Sequence, residues 1–394
     1  MTTPVLRLDA VVVRVNAGSL LDVDHLAVGP GETLALIGPN GVGKTTLLHV
    51  AALLRKPDVG TVTILGQTAT THNAATLRRA LSVVFQAPLL FDTRVLANAA
   101  AGLRFHGRPR IEAETRARTW LERFGVAHLT NRRARTLSGG EAARVALARA
   151  FATEPAMLLL DEPFSALDGP TRISVLPALR QRLHETGTAA VLVTHDRDEA
   201  FAFADRIAVM EAGRVVACGD ALSLIAYPPS HQVALLLGIE TILPAQVVCI
   251  NGEQAVVSLT TCGPSLRTRT PLRATAAPGE MVTVTLPAGA VHVFGPDDVC
   301  PPEWNVLPGR VGAVTSLPSG TRLVVETPAP IVAFAPWQPE DRRWLVGDPA
   351  IVAFSPESAH VIPERAQLPI PYPSERSELN SSYGRARDGR HHGH

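Results

Sequence analysis

One stretch limits the fold more than any other: GPNGVGKTT, Gly38 to Thr46, set between the apolar run TLALI and the apolar segment TLLHVAALL. The order is strand, glycine-rich turn, helix, so the free N–H groups that open the helix face the turn and make an anion site. The glycines let backbone wrap phosphates, Lys44 reaches the terminal ones, and Thr45 offers its hydroxyl to Mg²⁺. Gly38, Pro39, Asn40, Gly41, Gly43, Lys44, Thr45 and Thr46 are the expected contacts of bound ATP or GTP. From about residue 33 to 210 short apolar runs alternate with helical periods, as in a parallel sheet with crossover helices. TLALI, SVVF, MLLLD, AAVLVT and RIAVM are the expected strands.

The chain has 394 residues, enough for about two or three domains. Between 92 and 150 it turns helical and arginine-rich, which suggests a helical subdomain inserted between two sheet strands. After about residue 235, short β-type runs punctuated by Pro and Gly indicate an all-β domain over 236–364. ILPAQV at Ile242 recurs as VLPGRV at Val306, and GAVHVF at Gly289 as ESAHVI at Glu357, so two β units in tandem are expected. Residues 365–394 lack apolar periodicity and are expected to be a disordered tail, its closing HHGH solvated.

A net charge of +1 argues against a surface that coats nucleic acid. No apolar run approaches the ~18 residues needed to span a bilayer, and the start, MTTPVLRLDA, has no secretory pattern. Cys218, Cys249, Cys262 and Cys300 lie far apart without a C-x-x-C pair, which fits a reducing cytosol and suggests neither zinc nor a disulfide framework. Of 37 basic residues only Lys44 and Lys56 are lysine, the rest arginine. A lysine kept against that preference suits a place that needs a compact point charge, such as a phosphate site.

A second anion-shaped turn follows, in LSGGEAARVALARA from Leu137. Ser138, Gly139, Gly140 and Glu141 open a helix without any lysine, either as an ordinary cap or as the site of a phosphate bound elsewhere. MLLLDEP places Asp161 and Glu162 just past a strand, where they could serve Mg²⁺ and an attacking water, or cap a helix. His195 after AAVLVT could reach a γ-phosphate or be structural, and Gln86 after SVVF could supply an oxygen to Mg²⁺ or simply end its strand.

GPNGVGKTT, Gln86, LSGGE, LLLDEP, SALD (Ser165 to Asp168) and VTHD occur in the order and spacing of an ATP-binding cassette (ABC) ATPase, which residues 1–232 resemble. The resemblance implies an α/β P-loop NTPase, a RecA-like core with β and helical subdomains, followed by a small all-β OB-like or TOBE domain. It implies ATP and Mg²⁺, with Glu162, His195 and Gln86 as catalytic residues and Thr45, Gln86 and Asp161 at the metal. It also implies a head-to-tail dimer in which Ser138 and the helix start of Gly139, Gly140 and Glu141 serve the nucleotide held by the other copy, with Asp168 also among the nucleotide-binding residues. DEPFSALD and the β extension resemble the importer branch. That branch implies transmembrane permease subunits as partners, indirectly a periplasmic or extracellular substrate-binding protein, and a peripheral place on the cytoplasmic face of the membrane.

LSGGE and the β domain favour an oxyanion cargo such as tungstate or molybdate; the alternatives are sulfate, ferric iron, a polyamine or a sugar, or an oxyanion-responsive sensor ATPase uncoupled from transport. Three features depart from the family pattern. No Phe, Trp or Tyr precedes Phe85, so no ring stands near Val15 to stack the base; Ala143 follows the signature where Gln is usual; and Trp304 and Ser355 occupy places where a Mop-like motif carries cations. The β domain is accordingly expected to brace a dimer rather than bind an oxyanion.

Overall fold

The computed structural model describes residues 3–15, 18–251, 254–259, 264–269, 276–336 and 344–364. The expected tail, 365–394, and Cys262 lie outside the described residues. Six strands form the central sheet, in the order Arg214–Asp220, Arg206–Glu211, Thr33–Ile37, Ala189–Val193, Met157–Asp161, Leu81–Val84. All neighbours run parallel except the first pair. Thr33–Ile37, Met157–Asp161 and Ala189–Val193 are buried along their whole length, which requires both faces of the sheet to be covered.

Period-two alternation divides these strands between two cores. Leu34, Leu36, Met157 and Leu159 pack with Leu47 and Leu48 of the helix Lys44–Ala51, under the antiparallel strands Leu6–Val15 and Gly18–Val28. Ala35, Ile37, Leu158 and Leu160 face the other way, toward the helices. There, between the neighbouring strands Leu81–Val84 and Met157–Asp161, the chain inserts Val95–Phe105, Arg110–Arg123 and Gly139–Ala152. Trp120, Phe124 and Phe151 join these helices, with ring centroids 4.8 Å apart for Trp120–Phe151 and 5.6 Å for Phe124–Phe151.

Beyond Leu236 the described chain is strand and turn, with two single-turn 3-10 helices, Ala288–Ala290 and Pro356–Ser358. The tandem units are present but not self-contained. Thr241–Asn251, Gln254–Leu259, Ser265–Arg269 and Met281–Leu286 of the first unit close into a barrel only with His360–Pro363, the last strand of the second. Conversely, His292–Phe294 ends the first unit but pairs with Pro349–Phe354, at the edge of the second sheet. The exchange is symmetric: Thr285 lies opposite His360 in one pairing, and Ala353 opposite His292 in the other. Matching bulges at Val247/Cys249 and Val311/Ala313 underline the repeat. Thr241 and Asn305, equivalent first residues, each bond the backbone of the other unit: Thr241 Oγ1 accepts from Val332 N at 2.8 Å, and Asn305 Oδ1 from Arg267 N at 2.8 Å.

The barrel meets the preceding chain at His360, 5% exposed, whose ring stands edge-on to Tyr227 at 5.5 Å. Burial pushes the His360 imidazole down to about 4, against the pull of a hydrogen bond to the Pro228 backbone.

Two outcomes are expected. A chain stopped after Glu303 keeps the whole first repeat in sequence but loses its closing strand. Limited proteolysis should therefore cut readily within 241–294 while residues 3–236 stay protected; a resistant 241–294 fragment would refute the exchange. His360 is neutral when folded, and its unfolded value is near the usual ~6.5, so the unfolded state binds the proton first as pH falls. The stability that it contributes is full above about 6.5 and is lost toward about 4, up to about 3 kcal/mol. His360→Phe should flatten that part of the melting-temperature profile measured against pH.

Candidate functional site

The loop at 38–46 owes its shape to glycine. Gly38 has φ 155° and a Cβ there would come within 2.3 Å of the Met210 carbonyl; Gly43, at φ 105°, caps the helix Lys44–Ala51 from the left-handed region. Lys44 is 6% exposed, and its Nζ donates to the carbonyls of Gly38 at 2.7 Å and Pro39 at 2.9 Å. Burial lowers its pKa, with Glu162 and Asp161 opposing the shift. Gly38, Pro39 and Asn40 line an open cavity with His195, Arg197 and Leu235. Gly41 is exposed, and Thr46 half-buried beside the exposed Thr45.

Neither acid of the DEP segment caps a helix. Asp161 ends its strand buried and accepts from Thr45 Oγ1 at 3.1 Å. Burial raises its pKa, the Thr45 bond offsetting part of the shift. Glu162 turns back into the left-handed region at φ 44°, a conformation that costs about 1–3 kcal/mol outside glycine. Its N–H is held by the Val193 carbonyl at 2.9 Å, and its own carbonyl accepts from Ser165 Oγ at 2.9 Å. The turn presents the carboxylate to two partners from two further strand ends: His195 Nδ1 lies 3.3 Å from Oε1, and Gln86 Nε2 donates to Oε2 at 3.3 Å. Lys44, Thr45, Gln86, Asp161, Glu162 and His195 thus form one cluster of cation, hydroxyl, amide, paired carboxylates and imidazole at one edge of the sheet.

The second anion-shaped turn stands apart. Ser138 and Glu141 make a reciprocal cap: the Ser138 N–H donates to Glu141 Oε2 at 2.7 Å, and the Glu141 N–H to Ser138 Oγ at 3.3 Å. The bond from the Ser138 backbone holds the Glu141 carboxyl below its usual range. The cap reading is therefore satisfied in the single chain, with the free N–H groups of Gly139 and Gly140 still at the helix start. Among the described residues no hydrogen bond or ion pair joins 138–141 to 38–46. Instead the turn packs on 165–168, where a Cβ on Gly139 would lie 3.1 Å from the Ala166 carbonyl. Asp168 caps the helix Gly169–Thr186, accepting from Thr171 N at 2.9 Å, which lowers its pKa. Ala143 is buried, and Val15 is exposed at the end of its strand.

Several linking residues lie outside the sequence motifs. Arg149, in the helix opened by Ser138, donates to the carbonyls of Leu89 at 3.0 Å and Pro88 at 2.9 Å, tying that helix to the loop after Gln86. Asn98, fully buried, bonds both the N–H and the carbonyl of Phe91, at 2.7 and 3.0 Å. Thr194, Glu199 and Arg172 form a network beside His195. Asparagine inside an apolar helical period was the one visible anomaly.

The profile of the ABC transporter family matches residues 21–165. An iron(III) import ATP-binding protein of Streptomyces avermitilis is 41% identical over 251 residues, 64% of this chain and 71% of that protein. The chain belongs to the ABC transporter family. A spermidine/putrescine import ATP-binding protein of Rubrobacter xylanophilus is 34% identical over 323 residues, covering 82% of this chain and 83% of the relative, so the likeness extends into the β region. A solved dimeric ATP-binding cassette bound to ADP and phosphate superposes with a TM-score of 0.51 at 30% identity, over 55% of this chain and 98% of its own. The cassette is thus an ABC-type ATPase of the importer class, with the P-loop fold and additional all-β sheets behind it. No helix among the described residues is long and apolar enough to cross a membrane.

Proposed function

We propose that this ABC ATPase works as a head-to-tail dimer that drives a separate transmembrane permease, from a peripheral position on the membrane's cytoplasmic side. The observation that carries the reading is the convergence of Gln86 and His195 on Glu162, beside the Thr45–Asp161 pair. In it Glu162 polarises the attacking water, while Gln86 and His195 hold that carboxylate and meet the γ-phosphate. Lys44 and the N–H groups of the 38–46 loop bind the triphosphate. Thr45, Gln86 and Asp161 offer oxygen ligands only, the donor set that a hard divalent cation takes, and would hold Mg²⁺. That ion, when bound, spreads the charge of the phosphate oxygens. The Ser138 turn, remote from its own loop, completes the site of the second copy, where Gly139, Gly140, Glu141 and Asp168 stand at the meeting face.

The dimeric cassette with ADP and phosphate, and the import names of the relatives, support this arrangement. So does a route toward a permease. Pro88, Leu89, Leu90, Phe91 and Ala142 line a groove between the Gln86 loop and the helical insertion. Leu89 is 61% exposed there, Phe105, 73% exposed, stands edge-on to Phe91 at 6.2 Å, and Arg149 ties the groove to the Ser138 helix.

Residues 1–232 act as the cassette, with its helical part at 92–150, and 236–364 as a TOBE-like brace. For cargo we favour an oxyanion such as tungstate or molybdate, delivered by a periplasmic or extracellular binding protein. The named relatives import iron(III), polyamines and, in Rhodopseudomonas palustris, sulfate or thiosulfate. Within the β region, the two positions that depart from the oxyanion pattern have structural work. Trp304 packs on His292 at 4.9 Å and its carbonyl accepts from Arg267, while Ser355 Oγ accepts from Glu357 N at 3.2 Å.

Glu162→Gln should abolish hydrolysis while keeping ATP binding, so sizing with ATP should show a dimer that persists. Unchanged turnover with no longer-lived dimer would remove Glu162 from the role of base. Calorimetry of the full chain with molybdate or tungstate should show no binding in the micromolar range, because a dianion taken from water needs compensating positive charge, which Trp304 and Ser355 do not supply. Micromolar binding would make the β region an oxyanion sensor.

A further inference from the structure

We infer that Arg172 is a positioning residue that braces the His195 turn against the turn at 165–168. The inference rests on the proposed role of His195. A single hydroxyl fixes the backbone on both sides of that histidine: Thr194 Oγ1 accepts from Asp196 N at 3.0 Å and donates to Glu199 Oε2 at 2.6 Å. Thr194 is 1% and Glu199 5% exposed, so the bond is made out of water, where it is stronger. Asp196 in turn caps the helix Arg197–Phe203, accepting from Asp198 N at 2.9 Å and Glu199 N at 3.3 Å. Thr194, Asp196 and Glu199 are therefore one rigid frame around His195.

Arg172 reaches that frame from another element, the first turn of Gly169–Thr186, one turn beyond its cap Asp168. Its Nη1 donates to Asp196 Oδ2 at 3.0 Å, and its Nε lies 3.4 Å from Glu199 Oε1. One planar guanidinium thus spans both acids of the frame, which a lysine's point charge does not do. The Arg172 and Asp196 side chains are 33% and 30% exposed, so the ion pair contributes little stability and acts through the geometry that it fixes. Burial raises the Glu199 pKa, with the Thr194 bond and Arg172 among the effects that hold it down, so the carboxylate depends on these partners for its charge.

The brace is also incomplete in the single chain. The Arg172 Nε is buried, and its approach to Glu199 lacks hydrogen-bond geometry, so a small displacement of the helix start makes or breaks the second bond. That helix start follows directly from 165–168, the turn on which Gly139 packs, at 3.1 Å for a Cβ against the Ala166 carbonyl. Movement where two copies would meet is thereby transmitted to the histidine beside Glu162.

The test is steady-state ATP hydrolysis by the full chain. Arg172→Gln should lower kcat about tenfold, as expected for a displaced catalytic group, and leave KM for ATP within about twofold. Arg172→Lys should recover only part of the rate. In a His195→Ala background the same Arg172→Gln change should cost nothing further, which a loss of general stability would not reproduce. A wild-type rate in Arg172→Gln, or an equal loss with and without His195, overturns the brace. A wild-type rate in His195→Ala overturns instead the role of His195 on which the brace depends. Should Arg172→Gln fail to fold, Glu199→Gln keeps an acceptor for Thr194 while removing the charge that Arg172 meets, and is read by the same criteria.

Discussion

Everything at the nucleotide site depends on four parallel strands ending along one edge of the sheet. Leu81–Val84, Met157–Asp161, Ala189–Val193 and Thr33–Ile37 are consecutive neighbours in register, so the residue that follows each emerges beside the residue that follows the next. The ladder holds even past the strand, where the Glu162 N–H bonds the Val193 carbonyl and drives the left-handed turn. Helices on one face and the small antiparallel sheet on the other exclude water from the strands themselves. The chemistry is thus confined to the rim, on a support that cannot shift one strand without its neighbours.

The rim gathers charge at a cost. Lys44 and Asp161 are both buried deeply enough for desolvation to dominate their titration, in opposite directions. Each partly offsets the burden of the other, and the Gly38 and Pro39 carbonyls complete the environment of the ammonium. Such a site is held ready by the fold rather than assembled by the ligand, which is how preorganised charge contributes to phosphoryl transfer. Lysine suits the place because its charge is compact, in a chain that otherwise uses arginine almost throughout.

The α/β core was legible because its strands are short, wholly apolar and separated by helical periods, and TLALI or MLLLD can be little else. Each polar residue just past such a run was legible as a rim residue for the same reason. Arg172 was not, because one more arginine in an arginine-rich chain carries no pattern, and its partners lie 24 and 27 residues ahead on another helix. Ser138 read correctly as a helix start, but a cap looks alike whether or not a phosphate also uses it; the cap at Asp168 was not read from the sequence. In the β region the repeat pointed to two similar sets of strands and concealed their partners. Alternation specifies which face of a strand is buried, not which neighbour covers its edge.

That exchange of edges bears on how the chain is made. Thr285 and His360 are 75 residues apart in sequence and adjacent in the barrel. During synthesis the first four barrel strands emerge well before the fifth, and wait with two open edges until almost all of the described chain is out. Contacts of such long range are slow to form, and unpaired strand edges associate readily with other chains in the interval. The cassette, finished more than a hundred residues earlier, can fold and hold the growing segment apart from its neighbours while the last strand arrives.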